Sequence, residues 1–321
     1  MKPPTLLLVL AALLSTTSAG QEIQYRQRIQ LPLRDDAFRQ PRAVVADLHA
    51  NEIFVCDTFD HRIGIFDGQG YFEYLIPGGD RFRSPIDLAV DPEGYLLVLG
   101  FFGGRKSFTV LDFDGQLLET VELQDLPSEI DQVDLQSLAL SPDGQRVFAV
   151  DEDNHRLWIS DRQGLVTGWF DFEQGRSEEE IQDLILAHVD VYQDEVLVAA
   201  PSDGLVYRFG LDGKSRGYVG FKGTTPCKTA FPVAAALDAE GMILVLDKQR
   251  AVFTRWDPRD NRCLDEYMGF GDAPGALYQP GDIALDAVGR VYVAQGFQGR
   301  VQVYEGAVPA ALPAGATPNT P

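Results

Sequence analysis

The sequence predicts an all-β protein that folds as a six-bladed β-propeller, closed by an N-terminal strand that completes the last blade. Two observations lead to this fold class. One phrase of about fifty residues recurs six times along the chain, a period typical of propellers and solenoids. Each copy contains four short apolar runs separated by turn residues, and four antiparallel strands per repeat describe the blades of a propeller.

The repeated phrase consists of Pro, an apolar-Ala-apolar triplet, Asp or Ser, a tight turn and a second apolar strand. Clear copies are SPIDLAVDPEGYLLVL (84–99), FPVAAALDAEGMILVL (231–246) and QPGDIALDAVGRVYVA (279–294). The residues that open the first turn of the six copies are Asp47, Asp91, Ser141, Tyr192, Asp238 and Asp286. One segment departs from the strand pattern, because SEEEIQDLIL (177–186) predicts a single capped turn or a short helix.

The two ends of the chain predict how the ring closes. The sixth copy runs through RVQVYEG (300–306) and then lacks a fourth strand, whereas IQYRQRIQLPL (23–33) is strand-like and belongs to no copy. Pairing this N-terminal segment with the sixth blade would cover an open sheet edge. We therefore expect the propeller to span residues 21–306, and we expect the Ala/Pro/Thr-rich residues 307–321 to form a flexible tail.

The first twenty residues resemble a secretory signal peptide. Lys2 precedes the apolar run LLLVLAALL (6–14), and small residues up to Ala19 and Gly20 provide a cleavage site. The protein has 27 basic and 48 acidic residues, a formal net charge of −21. A field of that sign repels phosphate backbones and anionic lipids. We therefore expect a secreted or periplasmic monomer that binds no nucleic acid and does not insert into a membrane.

The three cysteines divide into two kinds. Cys56 lies inside the apolar strand IFVCD and is predicted to be a small buried side chain. Cys227 and Cys263 lie in polar loop sequence, and an oxidising compartment would permit a disulfide between them. No pair of cysteines has the spacing of zinc ligands.

A nine-residue frame follows the second strand of each copy. It reads VCDTFDHRI (55–63) in the first copy and AVDEDNHRL (149–157) in the third. This D-x-x-D/N-H-R pattern resembles the NHL repeat, a family of six-bladed propellers that includes extracellular sensor domains, protein- and RNA-binding modules and relatives of lyases and lactonases. The resemblance covers most of residues 41–306 and implies the same fold.

The frame residues have local structural explanations. Asp57 and Asp151 can cap the turn through side-chain to backbone hydrogen bonds, while Asp60 or Asn154 can tolerate a left-handed conformation there. We interpret the motif residues as structural rather than catalytic; they are Asp57, His61, Arg62, Asp151, His155 and Arg156. Arg105 and Arg300 occupy the same position as Arg62, whereas Leu205 and Val252 replace Arg in the fourth and fifth copies.

An aromatic cluster is predicted on one end of the ring. The fifth position of the frame is Phe59, Phe102 and Phe297 in blades one, two and six, which ring closure makes neighbours, and Phe101 lies beside Phe102. Turn positions usually carry Gly, Asn or Asp, so three equivalent Phe residues require a reason. One alternative is that each ring folds back over its own blade. The other is an apolar platform that binds a protein, peptide or glycan.

Polar residues are predicted at the mouth of the central channel, on the same end as the Phe residues. Alignment of the first strands places six residues at one level: Ala43, Asp87, Ser137, His188, Ala234 and Asp282. Asp87, His188 and Asp282 then lie on alternate blades and could bind a divalent cation such as Ca²⁺, or a transition metal if the imidazole points inward. The alternative is a wet channel lined by hydrogen-bonded polar residues.

The sequence therefore favours a recognition module over an enzyme. It contains no nucleophile elbow, HExxH motif or P-loop, and no GxGxxG motif opens a helix. We identify no catalytic residues. A binding face formed by Phe59, Phe101, Phe102 and Phe297 is the leading hypothesis. The alternative is a metal-dependent hydrolase or lyase, similar to a lactonase, with its site at the central channel.

Overall fold

The computed structural model describes residues 23–32 and 37–306, which form a six-bladed β-propeller of 24 strands. The predicted signal peptide at 1–20 and the predicted tail at 307–321 lie outside the described residues. Each blade is one four-stranded antiparallel sheet whose first strand lies nearest the central axis. The predicted fold class is confirmed.

The strands follow one another blade by blade. After β1 (Gln24–Ile29), blade one contains β2 (Pro41–Asp47), β3 (Glu52–Asp57), β4 (Arg62–Asp67) and β5 (Phe72–Pro77). Blade two contains β6 (Arg83–Val90), β7 (Leu96–Phe102), β8 (Arg105–Leu111) and β9 (Leu117–Val121). Blade three contains β10 (Leu135–Leu140), β11 (Arg146–Asp151), β12 (Arg156–Asp161) and β13 (Val166–Asp171).

The second half of the chain repeats this order. Blade four contains β14 (His188–Tyr192), β15 (Glu195–Ala200), β16 (Leu205–Gly210) and β17 (Ser215–Val219). Blade five contains β18 (Pro232–Leu237), β19 (Ile243–Asp247), β20 (Val252–Asp257) and β21 (Arg262–Tyr267). Blade six contains β22 (Asp282–Leu285), β23 (Val291–Gln295) and β24 (Arg300–Glu305), with a 3-10 turn at Gly296–Gln298.

The N-terminal strand completes blade six, as the sequence predicts. The strand order in this sheet is β1-β24-β23-β22, and β1 pairs antiparallel with β24 from Gln24 opposite Glu305 to Ile29 opposite Val301. Ile29 is buried, and an ion pair of 2.7 Å joins Arg26 to Glu305. The first and last strands of the propeller therefore hold the ring closed through one sheet.

The hydrophobic core is divided into six clusters, one between each pair of neighbouring blades. The cluster between blades one and two, for example, packs Cys56 and Ile63 of blade one against Leu88 and Val98 of blade two. The cluster that unites Tyr292 and Val301 with Val44 and Phe66 joins blade six to blade one. The largest buried side chains are Trp158 and Trp256, and they belong to two of these interfaces.

Aspartates close many of the turns and account for part of the acidic surplus. Asp67 Oδ1 accepts hydrogen bonds from the backbone N–H groups of Gln69 and Tyr71, at 2.8 and 2.9 Å. The same pair of bonds, to the residues two and four positions ahead, occurs at Asp91, Asp112, Asp161, Asp238 and Asp286. These carboxylates are required by the turns, whatever the protein binds.

The two remaining local predictions concern a helix and the cysteines. The predicted capped segment forms a short helix, α1 (Glu178–Gln182), in which Ser177 and Glu180 make a reciprocal capping box. Cys227 and Cys263 form a disulfide, and Cys56 is a buried free thiol. Among the residues that the structure describes, no helix is long and apolar enough to cross a membrane.

Candidate functional site

The propeller has two faces, and each candidate site is placed by reference to them. We call the upper face the one that carries the hairpins between second and third strands, such as 58–61, and the segments that lead into the first strands, such as 37–40. Thr58 N–H donates to the carbonyl of Gln40 at 3.1 Å and joins these two parts. The lower face carries the hairpins between first and second strands and between third and fourth strands.

The third position of the nine-residue frame carries Asp in three of the six blades and anchors the upper face there. The Asp57 carboxylate is fully buried and accepts hydrogen bonds from the backbone N–H groups of Arg39 and Gln40, at 3.1 and 2.8 Å. Asp151 accepts from Asp134 N–H at 3.0 Å in the same way. These carboxylates fix the segment that leads into the first strand of their own blade, so their role is structural.

The left-handed residue of each hairpin is the seventh position of the frame. A positive φ occurs there in all six blades, at His61, Gly104, His155, Gly204, Ala251 and Gly299. The expectation that Asp60 or Asn154 adopts this conformation is wrong by one residue. Asn154 instead donates its side-chain amide to Asp151 at 2.7 Å, and Asp60 lies 3.1 Å from the guanidinium of Arg62.

The histidines and arginines of the motif also have local partners. His61 Nδ1 lies 3.0 Å from Ser84 N–H, and His155 Nδ1 lies 2.9 Å from a carboxylate oxygen of Glu173. Arg62 Nε donates to Asp57 at 3.0 Å. Arg156 stacks over Trp158, with its guanidinium carbon 5.4 Å from the ring centroid. The geometry thus gives every motif residue a structural partner.

Four phenylalanines of the upper face are open to solvent. The exposed fractions are 56% for Phe59, 38% for Phe101, 36% for Phe102 and 79% for Phe297. Blades six, one and two are neighbours, so these rings lie on one continuous sector of the ring. The exposures of Phe59 and Phe297 favour an open platform over rings that fold back over their own blades, while Phe101 and Phe102 are partly covered. Exposed aromatic rings are typical of surfaces that bind a partner.

Two further aromatic side chains extend this sector. Tyr278 lies between Phe297 and Phe270, with ring centroids 5.4 Å from each, and Phe270 is 73% exposed. Arg39 places its guanidinium 4.3 Å above the ring of Phe59. Sequence reasoning missed Phe270 and Tyr278 because they lie in the connection between blades five and six, outside the aligned frame. The aromatic sector, as named below, consists of Phe59, Phe101, Phe102, Phe270, Tyr278 and Phe297.

A cleft lies within the aromatic sector at blade two. Its volume is about 430 Å³, and its walls include Phe101, Phe102, Phe82 and Arg83. The cleft combines exposed rings, a cation and the carboxylate of Asp80. A surface with this mixture can bury an apolar side chain and orient a polar group beside it.

The axial residues come together as the sequence predicts, but as a hydrogen-bonded cluster. His188 Nε2 lies 3.2 Å from Asp282 Oδ1, and Ser137 Oγ donates to Asp87 Oδ2 at 2.6 Å. Backbone N–H groups of the next blade also donate to these side chains. Leu138 N–H donates to Asp87 Oδ2 at 3.0 Å, and Val44 N–H donates to Asp282 Oδ2 at 2.8 Å. The polar side chains at this level therefore tie neighbouring blades together.

Burial and neighbouring charges set the protonation of this cluster. Burial opposes the charged form of His188, but the hydrogen bond and charge of Asp282, with the charge of Asp87, outweigh it and raise the pKa of His188 to about 9. Burial and the charge of Asp282 raise the pKa of Asp87 to about 6, against the opposing effect of His188. At neutral pH, His188 is a cation held between carboxylates.

The cluster lies at the inner end of a cavity, not at an upper mouth. The cavity has a volume of about 290 Å³ and is lined from the level of Asp87 and His188 down to the lower-face residues His49, Pro142 and Gln193. Above the cluster, Arg42 Nη2 of blade one donates to Gln136 of blade three at 2.9 Å. The prediction that the axial residues face the same end as the phenylalanines is therefore corrected, because the cavity opens on the lower face.

The divalent cation remains a prediction. Within residues 23–32 and 37–306, no group of three or more His, Cys, Asp or Glu side chains is arranged to hold a metal ion. Asp87 and Asp282 instead accept the backbone hydrogen bonds described above, and His188 faces Asp282 directly. A cation bound by these three residues would have to compete with the proton on His188.

Comparison with known proteins establishes the fold and no family. No protein-family model and no curated protein matches the sequence. A solved structure similar to this chain is a structural genomics protein of unknown function from Bacteroides thetaiotaomicron VPI-5482. The two share 15% identity with a TM-score of 0.64, over 89% of this chain and 76% of that chain. Likeness at this identity concerns architecture alone.

Proposed function

We propose that this protein is an exported recognition module that binds a protein, peptide or glycan through the aromatic sector of its upper face. The observation that carries the proposal is the exposure of Phe59, Phe102 and Phe297 at equivalent positions of three neighbouring blades. Leaving large rings in water is unfavourable, and a partner that covers them would recover that free energy. The signal-peptide-like residues 1–20 support export to the periplasm or the extracellular space.

The surroundings of the rings suggest what the partner offers. Arg39 stacks on Phe59, and Arg83 lines the cleft with Phe101 and Phe102. A partner with an apolar or ring-shaped group flanked by a hydrogen-bond acceptor would suit this arrangement. A resemblance to NHL repeats adds support, because that family includes protein-binding and sensor domains. We further propose that the protein is a monomer and binds no nucleic acid.

The test compares capture by matched variants. The parent and the triple variant Phe59→Ser/Phe102→Ser/Phe297→Ser are immobilised and exposed to the extracellular fraction of the source cells. The control variant is Tyr71→Ser/Phe113→Ser, which removes rings that are 70% and 72% exposed on the lower face. We expect parent and control to retain the same ligand and the triple variant to lose it.

A stability measurement accompanies the capture. Because the three rings are exposed, the free energy of unfolding of the triple variant should lie within about 1 kcal/mol of that of the parent. A loss above about 3 kcal/mol would mark the rings as core residues. One outcome would replace this proposal with the alternative of a hydrolase or lyase at the central channel. In that outcome neither the parent nor any variant captures a ligand, and the parent hydrolyses lactones or esters in a metal-dependent reaction.

A further inference from the structure

The side chains that line the axial cavity follow a pattern that the proposed recognition surface does not explain. Side chains at two successive levels of the first strands line it. The upper level holds the polar cluster of Asp87, His188 and Asp282. The next level, two residues further along each strand, consists of Val45, Ala89, Ala139, Asp190, Ala236 and Ala284. Five small apolar residues and one carboxylate therefore form this ring.

Asp190 is the one charged residue in this ring, and its carboxylate accepts few hydrogen bonds from the described residues. Its carboxylate accepts from the backbone N–H of Val191, and no other donor among the described residues reaches it. His188 acts on it only through its charge. The Nδ1 atom of His188 is also buried and without a hydrogen-bond partner in the described chain. Asp190 is partly exposed to the cavity, so its carboxylate can accept further hydrogen bonds from a ligand that enters there.

The charged side chains that line the cavity determine whether it attracts a cationic or an anionic ligand. Its lining includes three carboxylates at its inner end, namely Asp87, Asp190 and Asp282, beside the imidazole of His188. Asp47 and His49 line it nearer the opening, and no Lys or Arg belongs to the described lining. The four carboxylates outnumber the two imidazoles even when both imidazoles are protonated. A cation entering the cavity is therefore attracted, and an anion is repelled.

The walls decide between a metal ion and an organic cation. Between Asp190 and the lower face, the lining is mainly aliphatic and includes Leu140, Leu237 and Leu285, with Tyr192 nearer the opening. Aliphatic walls offer a metal no ligands, but they favour an apolar body. A volume of about 290 Å³ lies at the small end of the range for ligand pockets, roughly 300–1,000 Å³.

We infer that the axial cavity binds a small primary amine, whose ammonium group contacts Asp190 and whose apolar body packs against the ring of alanines and leucines below it. The ligand would enter from the lower face, because the lining continues to His49, Pro142 and Gln193 in the lower-face hairpins. The site lies on the face opposite the aromatic sector. It is therefore independent of the proposed recognition function, and the two can fail separately.

Isothermal titration with a matched pair of probes tests the inference. The probes are phenethylamine and the neutral 2-phenylethanol, which have the same carbon skeleton and differ in charge. The full chain is used as the parent, with the isosteric variant Asp190→Asn and the control Asp114→Asn, whose carboxylate is exposed. We expect phenethylamine to bind the parent and the control with a Kd below about 1 mM, and 2-phenylethanol to bind at least about tenfold more weakly.

The variants separate the charge of Asp190 from the shape of the cavity. Asp190→Asn should weaken phenethylamine at least about tenfold and leave 2-phenylethanol unchanged. Ala139→Leu, which fills the ring at the same level, should weaken both probes. Melting curves establish that each variant is folded. Failure of phenethylamine to bind the parent at about 10 mM, or equal binding by the parent and Asp190→Asn, would overturn the inference.

Discussion

His188 Nε2 lies 3.2 Å from Asp282 Oδ1, so a side chain of blade four reaches blade six past the small Ala234 of blade five. The same Asp282 accepts from Val44 N–H of blade one at 2.8 Å. One carboxylate therefore connects three blades around the axis. Because both partners are largely buried, removal of one of them should cost more stability than the loss of an exposed ion pair, since it leaves the other charge uncompensated.

The contribution of the His188–Asp282 pair to folding stability should depend on pH. The pKa of His188 rises from 6.5 to about 9 on folding, so its contribution is fully present below pH 6.5 and is lost as the pH rises through about 9. We expect urea unfolding to show that the stability advantage of the parent over His188→Gln shrinks by up to about 3 kcal/mol between pH 6.5 and pH 9.5. A difference that is constant over this range would contradict the pairing.

Asp57→Ala should destabilise the protein strongly. The substitution leaves the part-buried N–H groups of Arg39 and Gln40 without their acceptor and removes the fully buried carboxylate that accepts from Arg62 Nε. Denaturant unfolding should show a loss of about 3–5 kcal/mol. The matched control is Asp60→Ala in the same hairpin, which removes a partly exposed ion pair and should cost less than about 1 kcal/mol. Equal losses would refute the anchoring role.

Deletion of residues 23–33 should break the ring. It removes β1, exposes the paired edge of β24 and leaves the partners of the buried Ile29 uncovered. We expect aggregation or a large fall in melting temperature. Deletion of residues 307–321, which lie outside the described part of the chain, should change the melting temperature little. An N-terminal deletion that melts like the parent would show that β1 is dispensable.

A divalent cation at Asp87, His188 and Asp282 should bind more tightly as the pH rises, because the proton on His188 must leave. Calorimetry with Ca²⁺, Mn²⁺ and Zn²⁺ at pH 6.5 and 8.5 measures this, with Asp87→Asn/Asp282→Asn as the comparison. We expect a larger heat at pH 8.5 in the parent and none in the variant. Absence of metal-dependent heat in the parent at both values would remove the cation and the metal-dependent enzymatic alternative.

The sequence predicts the fold well because the constraint repeats. The Asp or Ser that opens the first turn in five copies, and the Gly that follows it in four, mark the blades, and the register derived from them places Asp87, His188 and Asp282 at one level. The backbone bonds from Leu138 to Asp87 and from Val44 to Asp282 agree with this alignment, because both join the same two positions of the repeat in neighbouring blades.

Features that depend on contacts across the ring could not be predicted from the sequence repeat. Arg42 of blade one donates to Gln136 of blade three, two blades away, and no repeat predicts that pairing. The left-handed position of the hairpins was displaced by one because Asn and Asp usually adopt that conformation, whereas here His61 and His155 do. Phe270 and Tyr278 were missed because they lie in the connection between blades five and six, outside the aligned nine-residue frame.

Hydroxyl-radical footprinting of the aromatic rings tests the proposed binding face most directly. The protein is labelled with and without its captured ligand, and oxidation is measured at each ring by mass spectrometry. We expect the ligand to protect Phe59, Phe102 and Phe297 while Tyr71 and Phe113 on the lower face stay equally reactive. Protection of Tyr71 and Phe113, with no change at the three phenylalanines, would contradict recognition through the upper face.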